Sequence, residues 1–170
     1  AITVDATADT TQSCSPMGTI LRACVNPAFN TYNVDSSNTD YTPTGPTAFI
    51  TLSSADDGDA AVTLPFSFNF YGTNYTGIRV GSNGYITMGA TGATSRTNQA
   101  LPSVTAPNGV IALCWDDLLH SGTATGVDTF TVGAAPNRRF VVRYNAGAVA
   151  FYNVGSQTGS LGGKIILHEG

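Results

Sequence analysis

Apolar and polar residues alternate strictly along the segment LPFSFNFY. Phe66, Phe68 and Phe70 fall on one face of an extended strand, and Ser67 and Asn69 fall on the other face. Because successive strand residues point to opposite faces, this spacing predicts a half-buried β-strand and excludes an amphipathic helix. The segment therefore indicates a β domain.

Short apolar runs separated by turn residues continue through the rest of the chain. Tyr71-Gly72, Ser82-Asn83-Gly84 and Pro107-Asn108-Gly109 each mark a reversal between two such runs. A spacing of about ten residues between runs is typical of antiparallel sandwiches. The predicted fold class is all-β, an antiparallel β-sandwich with a jelly-roll or immunoglobulin-like appearance. The predicted strands are 47–53, 61–71, 76–81, 84–88, 109–115, 126–132, 138–144, 147–154 and 162–168.

The sequence divides into an N-terminal extension, residues 1–46, and a sandwich domain, residues 47–170. The first seven residues, AITVDAT, alternate and predict one short strand. Ser15-Pro16 is a helix-start signal and allows a short helix over the following MGTILRACV, although glycine and threonine weaken it. Residues 26–46 are rich in Asn, Pro, Thr, Ser and Gly, which predicts a long ordered loop or linker.

The composition is that of an extracellular domain whose surface is rich in Thr, Ser, Asn and Gly and poor in charged residues. Charged residues make up only 11% of the 170 residues, against about 25% in ordinary soluble domains. Seven basic residues face eleven acidic ones, so no electrostatic footprint for nucleic acid exists. No apolar run approaches the ~20 residues that span a bilayer, which argues against membrane insertion. We expect a secreted protein, free or at the cell surface.

Three cysteines suggest one disulfide. Cys14 and Cys24 lie in a turn-rich segment, and a bridge between them would contribute about 2–3 kcal/mol in an oxidising compartment. Two free thiols are the alternative. Cys114 belongs to the apolar run VIALCW and is predicted to be a buried, inert thiol. No Cys/His spacing supports zinc or haem.

Two acidic clusters are candidate calcium ligands. Asp56, Asp57 and Asp59 surround a glycine, and Asp116 and Asp117 follow an apolar run that ends in tryptophan. Calcium prefers several oxygen ligands, so these carboxylates could hold Ca²⁺. The alternative is a solvated turn, because Asp and Gly favour turns and no EF-hand spacing is present. No other cofactor is expected.

Nothing in the sequence predicts catalysis. Adjacent strand residues point apart, so Asp116 and Asp117 are a poor acid–base pair. His120 and His168 are the two histidines, and neither belongs to a zinc-protease motif. No nucleophile elbow or phosphate-binding loop occurs. The chain is predicted not to be an enzyme.

Four ordered motifs carry a resemblance. They are PFSFNFYGTNYT at Pro65–Thr76, VGSNGYITMG at Val80–Gly89, APNGVIALCWDD at Ala106–Asp117 and APNRRFVV at Ala135–Val142. Together they resemble the nidogen-like β-sandwich modules of large secreted and surface proteins of bacteria, over about residues 47–170. The resemblance implies an extracellular adhesive or structural role, and it brings no known active site.

The resembling modules continue with one more strand after the motif IILHEG, so the resemblance implies an open sheet edge there. The N-terminal strand has the character needed to fill that edge. It does so either within its own chain or in a neighbouring copy, by donor-strand complementation. The donor residues are Ile2, Val4 and Ala6, and the acceptor residues are Ile165, Ile166 and Leu167.

The sequence therefore predicts a non-catalytic extracellular structural protein, a filament subunit whose partner is another copy of itself. A head-to-tail contact of this kind grows into a filament unless rotation closes it. The alternative is a monomeric adhesin or carbohydrate-binding module that recognises cell-surface or matrix glycans. Its aromatic candidates are Tyr71, Tyr75, Tyr85, Tyr144 and Tyr152.

Overall fold

A computed structural model of the protein describes residues 2–8, 21–26, 31–35, 44–101, 103–153 and 155–170. Up to residue 35, and at residue 153, it describes the backbone alone. Every regular element in these ranges is a β-strand. The strands are β1 (Ile2–Ala8), β2 (Leu21–Asn26), β3 (Thr31–Asp35), β4 (Asp59–Phe70), β5 (Thr73–Gly81), β6 (Tyr85–Met88), β7 (Val110–Ala112), β8 (Leu118–His120), β9 (Val127–Val132), β10 (Arg139–Tyr144), β11 (Val149–Asn153), β12 (Ser156–Thr158) and β13 (Leu161–His168).

The all-β antiparallel prediction is confirmed. A six-stranded sheet has the order β3-β2-β1-β13-β10-β9, a four-stranded sheet the order β4-β5-β6-β7, and a three-stranded sheet the order β12-β11-β8. All pairings between these strands are antiparallel. β1 thus lies inside the largest sheet, beside the last strand of the chain.

The main core lies between the faces of these sheets. On β4, Phe66 and Phe68 are buried while Ser67 and Asn69 are exposed, as the alternation predicted. The opposite side of this core comes from alternate residues of β10 and β13. A smaller cluster, Phe130, Val141 and Ile166, lies on the other face of the six-stranded sheet. Alternation along each strand therefore supplies both clusters.

The strand pattern of the sandwich was predicted with two omissions and one error. β8 and β12 have three residues each, too short to show a period. The predicted strand 47–53 does not form, and a single bridge joins Phe49 to Asp128 there. Backbone hydrogen bonds hold this segment instead, from Ile50 to Val127 and from Leu52 to Thr123.

Two predictions for the extension are wrong. The sequence allowed a short helix over residues 15–25. In the described part of that segment the chain instead forms strand β2, which starts at residue 21. The loop predicted over 26–46 contains strand β3. β2 pairs with both β1 and β3, so it covers part of the β1 edge, which a helix would have left with unpaired backbone groups. Sheet pairing has overridden local propensity.

The turn between β5 and β6 depends on Gly84. Its φ is +76°, and a Cβ added there would lie 2.0 Å from the carbonyl oxygen of Cys114. The Gly84 carbonyl accepts hydrogen bonds from the backbone N–H groups of Leu113 and Cys114, at 2.9 and 3.1 Å. The turn therefore packs directly against the segment after β7.

A buried ion pair lies across β9 and β10. Asp128 is fully buried, and its Oδ2 accepts from Arg143 Nε at 3.0 Å and Nη2 at 2.9 Å and from Asn145 Nδ2 at 2.9 Å. The Arg143 guanidinium also lies over the Phe130 ring, 5.1 Å from its centroid. Asp128 and Arg143 are direct cross-strand partners in the ladder.

Cys114 is buried, as predicted, and it is disulfide-bonded, a state that the sequence left open. The side chains of Cys14 and Cys24 lie outside the described part of the chain, and so does their predicted bridge. The sequence has three cysteines.

Candidate functional site

The pairing of β1 with β13 runs along the whole of β1. Ile2 lies opposite Leu167, Val4 opposite Ile165, and the ladder continues to Ala8 opposite Leu161. On its other side β1 pairs with β2 over only three residues, 2–4. β13 is thus the main partner of the N-terminal strand.

The acceptor positions on β13 are deeply buried. Ile165, Ile166 and Leu167 are each 0% exposed. Ile165 and Leu167 belong to the main core, and Ile166 belongs to the cluster on the opposite sheet face. Directly opposed residues in a ladder share a face, so the register places Ile2 and Val4 on the main-core face. Without β1, β13 would be an unpaired edge with this core beside it.

In this structure one chain supplies both strands, so β1 completes its own sheet. An exchanged pairing between two copies would use the same strands and the same register. Of the predicted donor and acceptor residues, Ile2 and Val4 lie opposite Leu167 and Ile165, whereas Ala6 lies opposite Gly163 and Ile166 lies opposite Thr3. The choice between the two arrangements stays a prediction.

A second candidate site is a cluster of three carboxylates, Asp56, Asp57 and Asp117, which we call the acid cluster. One ligand oxygen from each lies within 4.8 Å of the others. Two oxygens bound to one calcium ion are at most about 5 Å apart, so the spacing fits calcium. The donor set also fits, because calcium prefers carboxylate oxygens.

Asn83 brings the two halves of the acid cluster together. Its Nδ2 donates to Asp57 Oδ1 at 2.9 Å, and its Oδ1 accepts from the Leu118 backbone N–H at 3.0 Å. The loop before β4 is also tied to the same turn, since Gly58 N–H donates to Ser82 Oγ at 3.0 Å. The sequence showed Ser-Asn-Gly only as a turn and gave no sign of this role.

The charges of the acid cluster are poorly balanced. Burial raises the pKa of Asp117, and the neighbouring carboxylates of Asp56 and Asp57 raise it further. Asp56 Oδ1 and Asp117 Oδ1 are buried and accept no hydrogen bond from described residues. Arg96 contacts Asp57 at 3.2 Å, but its side chain is 57% exposed and offsets little charge. The cluster is an arrangement that a cation would stabilise.

The other two predicted metal ligands lie elsewhere. Asp59 binds the Arg79 guanidinium, and its Oδ2 also accepts from the Ala93 backbone N–H at 2.8 Å. Burial opposes ionisation of Asp59, but these hydrogen bonds hold its pKa below the usual value. Asp116 Oδ1 accepts from the Asp117 backbone N–H at 2.8 Å. The structure thus brings Asp117, from the second acidic cluster of the sequence, together with Asp56 and Asp57 from the first.

His120 is a structural residue. It is buried, and its Nε2 lies 2.8 Å from the Ser82 carbonyl oxygen, so Nε2 carries the proton and donates. Burial lowers the pKa of His120, with the Ser82 carbonyl opposing that shift. Its Nδ1 contacts no described hydrogen-bond partner. No nucleophile or carboxylate is bonded to this ring among the described residues.

The tyrosines do not form one exposed aromatic face. Tyr85 and Tyr144 are 0% and 1% exposed. Tyr144 OH donates to the Gly81 and Tyr85 carbonyls, and Tyr85 OH accepts from Ser95 N–H. Burial raises the pKa of Tyr85 to about 12. These two candidates for glycan contact are therefore core residues, whereas Tyr71 is 60% exposed.

Comparison with known protein families gives one match. The family described as NIDO related matches residues 31–170, which is most of the chain. The chain belongs to the NIDO-related family. This confirms the nidogen-like resemblance, and the match begins upstream of residue 47, at β3. No match was found among curated proteins or among solved structures.

The nidogen-like family is extracellular. No helix among the described residues has the length and apolar character of a membrane span. The NIDO-related β-sandwich thus carries two distinct features, a strand ladder between β1 and β13 and the acid cluster.

Proposed function

We propose that this NIDO-related module is a secreted, non-catalytic structural subunit that assembles into filaments by strand exchange. In the polymer, β1 of one copy lies beside β13 of the next copy. The observation that carries the proposal is the seven-residue ladder between the first and last strands, set against a fully buried acceptor segment.

Three properties of the ladder support exchange. It is long relative to the β1–β2 contact, so most main-chain bonding of β1 is directed at β13. Its apolar positions alternate in register with core residues, which is how donor strands gain specificity. The connection between β1 and the sandwich domain, residues 9–43, includes β2 and β3 and is long enough to reach either the same domain or a neighbour.

Electron microscopy of the native protein tests this proposal directly. We expect filaments, and we expect Ile2→Asp with Val4→Asp to abolish them, because two carboxylates would enter the apolar face of the ladder. Discrete monomers of the unaltered protein would contradict exchange and favour the monomeric glycan-binding alternative.

The matched control is Ala61→Asp with Thr63→Asp. Both positions are exposed, alternate on one strand and add the same charge. Filaments should persist in this variant. Loss of filaments in both variants would indicate a general effect of charge and would remove the support for the ladder.

A second candidate function is calcium binding, and the two buried oxygens without hydrogen-bond partners favour it. We propose that the acid cluster binds Ca²⁺ through Asp56, Asp57 and Asp117. Water or backbone oxygens would complete the six to eight ligands that calcium takes. The ion would fasten the loop before β4 to the segment before β8 and so stiffen one end of the sandwich.

Calcium at 10 mM should stabilise the protein by about 1–3 kcal/mol, if the affinity is that of extracellular modules. Asp117→Asn should remove most of this gain. In EDTA the same variant should be no less stable than the unaltered protein, because the raised pKa of Asp117 reports an unfavourable charge. Urea unfolding with and without Ca²⁺ measures both effects.

Asp116→Asn is the control for calcium. It removes the neighbouring charge yet keeps the Oδ1 that accepts from Asp117 N–H. Its calcium response should match that of the unaltered protein. An equal loss in both variants would point to diffuse surface charge, and no calcium response at all would reject the site.

A further inference from the structure

Charged residues form one row across four neighbouring strands of the six-stranded sheet. Asp5 on β1 lies opposite Lys164 on β13, Lys164 lies opposite Arg143 on β10, and Arg143 lies opposite Asp128 on β9. The order of charges is negative, positive, positive, negative. Two like charges therefore meet at the centre of the row.

Arg143 is already neutralised on one side, because Asp128 binds it through Nε and Nη2. Lys164 has no such partner on β10. Among the described side chains it forms no ion pair. Like charges directly opposed across strands are destabilising, so Lys164 needs an acid on its other side. The strand on that side is β1.

Asp5 is the one charged residue of β1, and Lys164 is the single lysine of the chain. The positions diagonal to Lys164 on β1 are Thr3 and Thr7. The other nearby cation in the extension, Arg22 on β2, lies opposite Asp35 on β3 and has an acid of its own. The register therefore makes Asp5 the acid that is available to pair with Lys164.

We infer that the Asp5–Lys164 pair selects the strand that β13 accepts and fixes its register. A strand fits when apolar residues face the core and an acid stands opposite Lys164. A slip by one residue would place Val4 or Ala6 at that position and would turn the apolar residues away from the core. This inference deepens the proposed function and rests on it for the identity of the partner, a second copy of the chain.

Charge reversal tests the pair. Asp5→Lys and Lys164→Asp, made separately, should each raise the protein concentration at which half the subunits are in filaments by about fivefold to tenfold. The double variant, Asp5→Lys with Lys164→Asp, should return to within about twofold of the unaltered protein, because opposite charges again face each other. Asp9→Lys makes the same charge change outside β1 and should have little effect.

Mixing the two single variants gives a sharper result. Each alone presents like charges at its own interface. In an equal mixture, the lysine-bearing β1 of the Asp5→Lys variant can pair with the aspartate-bearing β13 of the Lys164→Asp variant. The remaining unaltered strands, one from each variant, also carry opposite charges. Alternating copolymers should therefore form at nearly the protein concentration at which the unaltered protein forms filaments. A mixture no better than its components would contradict selection between copies.

The outcomes test the role of the Asp5–Lys164 pair separately from the existence of filaments. Filaments without rescue in the double variant overturn the inference and leave the proposed function standing. Monomers in every sample overturn the proposed function, and the same four variants then test the pair through their urea midpoints. Rescue of the midpoint in the double variant would retain the pair within one chain, and additive losses would reject it.

Discussion

Gly84→Ala should lower the free energy of unfolding by about 3–5 kcal/mol. The left-handed backbone at this position costs an alanine about 1–2 kcal/mol. The new Cβ would also lie 2.0 Å from the Cys114 carbonyl oxygen, so the backbone of the turn or of the segment after β7 must move. Movement there strains two hydrogen bonds to the Gly84 carbonyl. Urea unfolding followed by tryptophan fluorescence measures the loss.

Gly147→Ala separates the two contributions. Gly147 also has a positive φ, +84°, but nothing lies within 4 Å of an added Cβ. This variant should lose only the backbone contribution, about 1–2 kcal/mol. Equal losses of unfolding free energy at the two glycines would mean that the turn at Gly84 relaxes freely. The close contact between Gly84 and Cys114 would then contribute nothing to stability.

Asp128→Ala should destabilise the protein by about 3–5 kcal/mol, since it leaves a largely buried guanidinium without its acid. The Arg143 side chain is 23% exposed and Asp128 is 0% exposed, so solvent can replace little of the lost interaction. Asn145 Nδ2 would lose one of its two acceptors as well, keeping only the Gly126 carbonyl oxygen. Chemical denaturation with a two-state fit gives the value.

A double-mutant cycle with Arg143→Met identifies the cause. If the unpaired charge is responsible, Asp128→Ala should cost much less in the Arg143→Met background. Purely additive losses would show that Asp128 acts through packing or through Asn145 instead. The exposed pair of Arg96 and Asp57 provides a comparison, because its removal should cost at most about 1 kcal/mol.

The sandwich was predictable because one face of each long strand is buried. Phe66 and Phe68 on β4 display that period directly in the sequence. β2 and β3 were not predicted, because their stability depends on pairing with β1 and on neither composition nor turns. The Ser15-Pro16 signal and the polar residues of 26–46 are local features. Pairing with β1, which is itself held by β13 from the other end of the sequence, outweighed them.

The candidate sites were predictable in part. The β1 and β13 positions followed from alternation and from the family resemblance, and the ladder places them side by side. The acid cluster combines Asp117 with two acids from far earlier in the chain, a combination set by the Asn83 hydrogen bonds. Asp59 instead pairs with Arg79 on the neighbouring strand of the same sheet. Sequence spacing cannot encode such meetings, because they depend on how distant turns pack.

The position of β1 beside β13 also determines the order of folding. β3-β2-β1 and β13-β10-β9 are two halves of one sheet, and only the β1–β13 ladder joins them. Contacts between the first and last strands are the slowest to form, because they close the longest loop. While the chain emerges, β1 is present long before β13 exists. Each new molecule therefore passes through a stage in which its N-terminal strands exist and β13, their partner in this structure, does not. If strands are exchanged as we propose, this is the stage at which the β13 of a neighbour competes for β1.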